Sequence, residues 1–347
     1  MVVRRSRHRL LALLCGVLAA LTLTTPALAA PERAGATRPE AAAGWLARQL
    51  VDGERFEAVF DGVAYPDQGL TLDAVFAFAA AGAADDYGAD AVAWVTRPDV
   101  RDGYVGDGVS EAYAGATAKL ALAVQVRGGD PADVGGVDLI ARLRSLQTPA
   151  GRFSDRSAYG DYSNAFSQSF ALLTLARTAD GAPPAAAAWL AATRCPDGGY
   201  PLLPAQPVCV SDVDATALAT QALRAAQRPA DAAAGLRWLV SVQGVDGGFT
   251  DVAGTPNANS TGLAAQALRD GGRTLAWARA RAFLAGLQVG CAGAQADRGA
   301  VDFDGGGFDP ATAPRATAQA VLGLAGTGYA RLSAAGAEPG APALACP

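Results

Sequence analysis

Most of the residues in this chain that could do chemistry are Asp and Asn side chains at the start of alanine-rich segments. Asp214 opens the run Asp214 to Leu223, which aligns without gaps on Asn259 to Leu268. An acid at such a place can exchange protons with a substrate. It can instead cap a helix, because its side-chain oxygen accepts hydrogen bonds from the free N–H groups of the first turn. We expect Asp214 to be a helix cap, as Asn259 is at the matching place.

Histidine and cysteine usage restricts the chemistry further. The only histidine is His8, and no two of the later cysteines have the close spacing of a zinc site. We therefore predict no metal and no cofactor. Four cysteines in an exported chain indicate two disulfides, for which three pairings are possible. We favour Cys195–Cys209, inside one connection, and Cys291–Cys346, which would tie the C-terminus to the last repeat.

The N-terminus has the features of a secretory signal peptide over residues 1–29. Arginines precede an apolar run from Leu10 to Leu23, and Ala27-Leu28-Ala29 offers a cleavage site. This run is too short to span a bilayer, and no longer one follows. We expect a secreted protein, extracellular or associated with the cell wall, without a stable membrane span. The chain after the signal carries 24 basic and 33 acidic residues, a net charge of −9, which argues against nucleic acid as a partner.

A repeat of about 48 residues runs through the rest of the chain. Gly-bearing turns are followed by an aromatic residue six times, at Phe56, Tyr104, Phe153, Tyr200, Phe249 and Phe308. A bulky residue precedes each turn, at Trp45, Trp94, Leu143, Trp189, Trp238 and Phe283. The wider last interval indicates an insertion around Cys291 to Phe303. We place a flexible N-terminus at 30–40, six repeats at 41–330 and a C-terminal tail at 331–347.

Each repeat predicts a pair of helices. The Trp-bearing half has apolar residues at helical spacing and ends in a Gly-rich turn, and the second half is rich in alanine. Alanine lets helix backbones approach closely, so we expect alanine-rich inner helices and bulky outer ones. The predicted fold is an all-α (α/α)6 toroid. An open solenoid is the alternative, but six units, the lack of a polar capping repeat and a cysteine near the terminus favour closure.

In a closed toroid the inner helices start at one end, where their positive dipole ends converge on one mouth. We expect a polar rim there, made of Asp67, Asp73, Glu111, Asp161, Tyr162, Asn164, Asp212, Asp214, Asn257, Asn259, Asp309 and Arg315. One turn inside, Phe76, Tyr113 and Phe166 could form an apolar wall. Such a pocket would suit a mid-sized apolar ligand. Helix capping and core packing are the alternative explanation for the same residues.

The repeats resemble those of the prenyltransferase/squalene-cyclase family over residues 41–330. The resemblance is carried by the Q-x-x-D-G-G-F pattern of Gln243 to Phe249, by its copies at 147–153 and 194–200, and by the alanine-rich helices that follow. It implies an (α/α)6 barrel. Residues 212–217 are similar to the D-x-D-D-T-A motif of class II terpene cyclases. There Asp214 would be the general acid and Asp212 a supporting carboxylate, while Ala215 replaces one acid of the motif.

Other activities of that family fit less well. Protein prenyltransferases bind zinc through histidine, and complement-type thioesters need a C-G-E-Q run, so both are excluded. For a sugar-cleaving enzyme no particular pair of carboxylates stands out. A cobalamin-type carrier would need its lid from another protein. We expect a non-catalytic binding or scaffold protein for an apolar or prenoid ligand, or for a protein partner at the mouth. The alternative is a cyclase-like enzyme that acts on a polyprenyl substrate through Asp214.

Overall fold

The computed structural model describes residues 35–204 and 206–347, so the predicted signal peptide at 1–29 lies outside the described residues. The described chain forms thirteen α-helices: α1 Arg38–Ala47, α2 Gln68–Ala81, α3 Asp85–Val95, α4 Pro98–Val105, α5 Ala114–Val126, α6 Leu139–Ser145, α7 Ala165–Leu175, α8 Pro184–Ala192, α9 Val213–Ala225, α10 Pro229–Val242, α11 Ala258–Asp270, α12 Thr274–Leu287 and α13 Ala313–Ala325.

The remaining regular structure is short. Residues Gln295–Asp297 and Tyr329–Arg331 form single 3₁₀ turns. Strands β1 (Glu57–Phe60) and β2 (Val63–Pro66) form an antiparallel hairpin ahead of α2, and β3 (Phe249–Thr250) pairs with β4 (Pro256–Asn257) ahead of α11. The first helix begins at Arg38, within the stretch for which the sequence predicted a flexible N-terminus.

Six helices form a closed inner ring. In the order α2, α5, α7, α9, α11, α13, each helix packs on the next, and α13 packs back on α2. Adjacent inner helices run parallel to one another, as contacts between matching positions of their repeats show. Lys119 of α5 meets Asp73 of α2 at 2.6 Å, and Gln221 of α9 donates to Gln266 of α11 at 3.5 Å. The fold is the predicted all-α toroid, and the closed ring excludes the open solenoid.

The other helices surround this ring, and the outer wall closes where the chain's first helix meets its last outer one. Helix α1 packs between α13 and α2. Arg38 donates from Nη1 to the carbonyl of Ala285, and Gln288 donates from Nε2 to the carbonyl of Arg38, at 3.1 and 2.9 Å. The bulky residues of the repeat lie on α1, α3, α6, α8, α10 and α12, as the sequence predicted.

Small side chains on the inner helices permit this tight ring. A Cβ on Gly262 of α11 would lie less than 3.0 Å from the backbone of Gln319 on α13, and one on Gly115 of α5 would lie less than 3.0 Å from Ser167 on α7. The inner helices are otherwise dominated by buried alanine. Backbones this close can pack only where the side chains between them are nearly absent.

The residue after each Gly-rich turn is tied to the following inner helix. The backbone N–H of Tyr200 donates to Thr216 Oγ1 at 2.8 Å, and that of Phe249 to Thr261 Oγ1 at 2.9 Å. In the sixth repeat Val301 makes this bond, to Thr317. The sequence assignment of Phe308 to this place was therefore wrong. The inserted residues precede Val301, so the aromatic residue that follows is displaced onto the loop.

The second repeat also differs from its sequence assignment. Its turn is helical, and the buried residue at the repeat position is Val105 rather than Tyr104. The carbonyl of Val105 accepts from the N–H of Tyr113 at 3.1 Å, just as the carbonyl of Tyr200 accepts from Asp212. Because α4 already satisfies the N–H of Val105, the hydroxyl of Thr117 is left buried without a partner among the described residues.

The structure contains the two favoured disulfides. Cys195 is joined to Cys209 and Cys291 to Cys346. The first closes part of the connection between α8 and α9, and the second holds the last residues of the chain.

The C-terminal segment from Gly326 onwards closes the far end of the barrel. Its backbone pairs in turn with the C-terminal ends of the inner helices, as at Ala334, whose N–H donates to the carbonyl of Val126 at 2.9 Å. Tyr329 turns inward from this segment and is buried, with its ring 5.3 Å from Phe76 and 5.4 Å from Phe170, both edge to face. Arg177 holds the segment through the carbonyls of Tyr329 and Leu332. Tyr329 is therefore a plug in the barrel axis.

Removing the Tyr329 ring should destabilise the fold about as much as removing any large side chain from the core. We expect Tyr329→Ala to lower the free energy of unfolding by about 3–5 kcal/mol, because it leaves a cavity between Phe76 and Phe170. Tyr329→Phe keeps the ring and should change it by less than about 1 kcal/mol. Urea unfolding followed by tryptophan fluorescence measures both values. Wild-type stability in Tyr329→Ala would show that the ring does not support the axis.

Candidate functional site

Four of the predicted rim residues are helix N-caps. Asp67, Asn164, Asp212 and Asn257 accept hydrogen bonds from the first-turn N–H groups of α2, α7, α9 and α11 at 2.7–3.2 Å. Helix α5 is capped differently, by Asp155 from the next connection, whose Oδ1 accepts from the N–H of Ala114 at 2.7 Å. Sequence reasoning missed Asp155, because it lies 41 residues from the N–H that it accepts.

Asp214 and Asn259 are not the caps that the sequence suggested. The caps stand two residues earlier, where the backbone of Asp212 and Asn257 is still extended. Asp214 and Asn259 therefore lie in the first turns of the neighbouring helices α9 and α11. Each is only partly exposed, and its Oδ1 is buried without a hydrogen-bond partner among the described residues.

Burial changes the acidity of Asp214. Removal from water is the main cause that raises the pKa of Asp214 to about 6, and the negative charges of Asp212 and Asp251 add to it. The hydroxyl of Ser260 acts in the opposite direction. The site thus holds a carboxyl group that binds its proton more tightly than an ordinary aspartate. No second carboxyl supports it at position 215, which is alanine.

A second polar group lies on the barrel axis, at the level of the second turn of the inner helices. Asp73 is buried, and its carboxylate meets Lys119 at 2.6 Å and Arg315 at 3.7 Å. Lys119 also donates to the carbonyl of Gly69 at 2.9 Å and lies 5.8 Å from the ring centre of Phe170. Arg315 bridges on to Asp67 at 2.9 Å. Asp73 is thus an ion-pair partner that links α2, α5 and α13.

Lys119 was not among the predicted site residues. It is the only lysine in the chain and it interrupts an alanine-rich apolar segment, which is the signal that could have identified it. A single ammonium group within an otherwise apolar inner helix needs a buried acid opposite it. The sequence offered Asp73 as an acid in the neighbouring inner helix but did not show that the two meet.

The expected apolar wall is largely covered. Phe76 has no exposed surface, because the ring of Tyr329 packs against it. Phe166 is half-buried against the core. Tyr113 stands at the rim, where its hydroxyl donates to Glu111 Oε2 at 3.0 Å. The axis between the rim and the tail is therefore filled by protein side chains at the level of Phe76.

The other predicted rim residues hold the loops in place. Asp161 Oδ1 accepts from the N–H groups of Asp155 and Ser163, and Asp161 Oδ2 pairs with Arg152 at 3.0 Å. Glu111 Oε1 accepts from the N–H of Ala158 at 3.0 Å.

Further along the rim, Asp309 Oδ1 accepts from the N–H of Ala311 just before α13. Tyr162, by contrast, is three-quarters exposed. Its side chain is therefore open to solvent rather than used to hold a loop in place.

The six connections that lead into the inner helices form what we call the mouth face: residues 48–67, 106–113, 146–164, 193–212, 243–257 and 288–312. They carry 17 acidic and 6 basic residues, a net charge of −11, whereas the rest of the chain from residue 35 carries 15 acidic and 17 basic ones, a net charge of +2. Five of the six also expose large apolar side chains: Val59, Phe60, Val63, Tyr65, Val109, Tyr159, Tyr162, Leu203, Val208, Val210, Val245 and Val252.

None of the helices in residues 35–204 and 206–347 combines the length and hydropathy needed to cross a bilayer. Within the same ranges no three His, Cys, Asp or Glu side chains cluster so that they could hold a metal ion.

The buried carboxyl of Asp214 should make stability depend on pH. Because its folded-state pKa lies above the unfolded value, the folded state holds more protons between about pH 4 and pH 6, and stability falls as the pH rises through that window. We expect Asp214→Asn to increase the free energy of unfolding at pH 7 by up to about 3 kcal/mol and to have no such effect below pH 4. Urea unfolding at several pH values tests this.

Asn259→Asp is the matched control, since it places a carboxyl in the equivalent first turn of α11. It should lose stability at pH 7 and recover it as the pH falls. A difference between wild type and Asp214→Asn that stays constant from pH 4 to pH 7 would contradict the burial of a charged Asp214.

Comparison with known proteins extends the fold assignment. No protein-family model and no curated protein matches the sequence. Among solved structures, a protein from Actinoplanes is 16% identical, with a TM-score of 0.59 over 83% of this chain and 97% of that one. Candida albicans protein geranylgeranyltransferase-I complexed with GGPP is 11% identical, with a TM-score of 0.51 over 74% and 84% of the two chains.

A third solved structure, ent-copalyl diphosphate synthase from Streptomyces platensis, is 18% identical, with a TM-score of 0.48 over 74% of this chain and 50% of that one. At these identities the two comparisons with TM-scores above 0.5 show the fold and not the activity. The chain has the α/α toroid architecture that is also found in a protein prenyltransferase.

Proposed function

We propose that this chain is a secreted, non-catalytic binding protein whose mouth face docks a protein partner that is basic and carries apolar side chains. The observation that supports it most is the filled barrel axis. Tyr329, Phe76 and Phe170 occupy the centre, and the Asp73–Lys119 pair lies there as well. A prenoid ligand along the axis would have to displace the Tyr329 ring, so binding at the mouth face is favoured over binding inside the barrel.

The character of the mouth face supports a protein partner. Exposed apolar groups contributed by several connections at one end are typical of interaction sites rather than of ordinary surface. The concentration of negative charge at that end would attract a basic partner and speed its association. The hairpin β1–β2 contributes most to this surface, with Val59, Phe60, Val63 and Tyr65 all at least half exposed.

Secretion is part of the proposal and rests on two observations. Residues 1–29 have the pattern of a signal peptide. The two disulfides are of a kind that forms and persists in oxidising compartments.

A second candidate function rests on Asp214. A buried carboxyl group with a raised pKa and an oxygen without a partner is the kind of group that can donate a proton to a substrate. In this alternative the chain is a class II cyclase-like enzyme that acts on a polyprenyl substrate, with Asp212 beside the acid. The missing carboxyl at Ala215 and the plugged axis argue against it.

A direct assay separates the two functions. We expect the purified protein to leave geranylgeranyl diphosphate unchanged, both as wild type and as Asp214→Asn, when organic extracts are analysed by gas chromatography and mass spectrometry. Native mass spectrometry of the exported protein should show no bound prenoid. A hydrocarbon product formed by wild type and absent with Asp214→Asn would overturn the non-catalytic function in favour of the cyclase.

The partner is tested by cross-linking the exported protein in its native culture medium and then rebuilding the complex from purified components. We expect Phe60→Ser to weaken binding at least about tenfold, because an exposed apolar anchor of the mouth face is lost. Leu275→Ser is the matched control, since Leu275 is even more exposed than Phe60 but lies on outer helix α12. The affinity should also fall as salt is added.

Either of two outcomes would contradict the docking surface. One is a complex that Leu275→Ser weakens as much as Phe60→Ser does. The other is an affinity that does not change with ionic strength, which would separate binding from the acidic charge of the mouth face.

A further inference from the structure

Gly-rich turns of the repeat pack against the next outer helix around the ring, and we call each such contact a seam. One of these seams is open. A Cβ on Gly151, Gly247 or Gly299 would lie less than 3.0 Å from a backbone carbonyl oxygen of the next outer helix. At Gly198 the nearest such atom is the carbonyl oxygen of Ala234, at 3.7 Å. The seam between α8 and α10 is therefore looser than the other three.

The first cause is a missing glutamine bridge. Gln243, four residues before Gly247, donates from Nε2 to the carbonyls of Gly247 and Ala276, both at 2.9 Å. Gln288 makes the same pair of bonds at the following seam. Arg194 stands four residues before Gly198, in the place of that glutamine, and makes neither bond. The turn is therefore not drawn against α10.

The second cause is a missing filler on the facing helix. Arg279 supplies the carbonyl that approaches Gly247, and its side chain crosses the seam to donate to the carbonyls of Gly244 and Val245 at 2.8 and 3.2 Å. The residue that faces Gly198 in the same way is Ala234, whose methyl group is too short to cross the seam and bond the turn. Both groups that fill the α10–α12 seam are thus replaced at the α8–α10 seam.

The open seam is a cleft of about 570 Å³, lined by residues 194–198, Ala234, Arg237, Trp238 and Ser241. Within the described part of the chain, Arg194 and Arg237 have neither an ion pair nor a hydrogen bond from their side chains. The cleft also contains Asp197, but its carboxylate already accepts from Ser211 Oγ at 2.6 Å and from Trp238 Nε1 at 3.0 Å. The two guanidinium groups are therefore free for a ligand.

We propose that the α8–α10 cleft binds a small molecule that presents an oxoanion to Arg194 and Arg237 and an apolar group to the ring of Trp238. Guanidinium groups pair with carboxylate and phosphate oxygens through two parallel hydrogen bonds, and they keep their charge at every physiological pH. The cleft volume is that of ordinary small-molecule sites. The disulfide Cys195–Cys209 fixes the turn that carries Arg194. The cleft shares residues 194–198 with the mouth face, but a small ligand would bind there whether or not a protein partner docks.

Isothermal titration calorimetry with phenyl phosphate tests the cleft, with inorganic phosphate and benzyl alcohol as the two partial ligands. We expect phenyl phosphate to bind more tightly than either, and Arg237→Gln to weaken it at least about tenfold, the effect of one charge-assisted hydrogen bond. Arg194→Gln should abolish binding and also raise Tm by about 2 °C, because glutamine can rebuild the bridge to the carbonyls of Gly198 and Asp231.

Ala234→Arg is the decisive control. It adds a positive charge, but its side chain would cross and fill the cleft as Arg279 fills the α10–α12 seam. It should therefore abolish binding of phenyl phosphate while Tm stays within a few degrees of wild type. If Ala234→Arg binds phenyl phosphate as well as or better than wild type, the binding is due to surface charge and the cleft site is wrong. Equal binding of inorganic phosphate and phenyl phosphate would remove the role of Trp238, and no binding of either by wild type would overturn the site.

Discussion

The close approach of the six inner helices is the constraint on which the rest of the structure depends. Alanine and glycine at the contacts let backbones lie against one another, as Gly262 does against Gln319. Helix α13 also packs on α2, so the ring has no free edge. Once the ring is closed, the outer helices, the connections and both termini must lie on its outside or at its two ends.

Closure also leaves a space at the axis, toward which side chains of the inner helices point. Two kinds of contact fill this space. An ion pair between Lys119 and Asp73 satisfies two buried charges at the level of the second helical turn. Such a pair adds little net stability, but a partner lost on either side would leave a buried charge, so it fixes how α2 and α5 align. Below it, the aromatic ring of Tyr329 fills the space from the C-terminal side.

The same geometry explains why acids concentrate at one end without forming an obvious active centre. Six helix N-termini meet there, and each attracts an oxygen acceptor to its free N–H groups. Most of the rim residues are used in that way or in holding the loops. Asp214 and Asn259 are exceptions, because Asp212 and Asn257 already cap the two helices, and Oδ1 of each exception is buried without a partner among the described residues. Function at this end therefore rests on the exposed apolar residues of the loops and on the charge around them.

The sequence by itself determined the six helical hairpins and the division between Trp-bearing outer and alanine-rich inner helices, and it favoured the two disulfide pairs without determining them. These follow from helical periodicity, turn residues and spacing, which are local properties. Only the tertiary structure decided that Tyr329 plugs the axis, that Asp155 caps a helix of the preceding repeat, that Val301 rather than Phe308 holds the sixth turn, and that the seam at Gly198 is open. Each of these depends on groups brought together by ring closure, which no local pattern encodes.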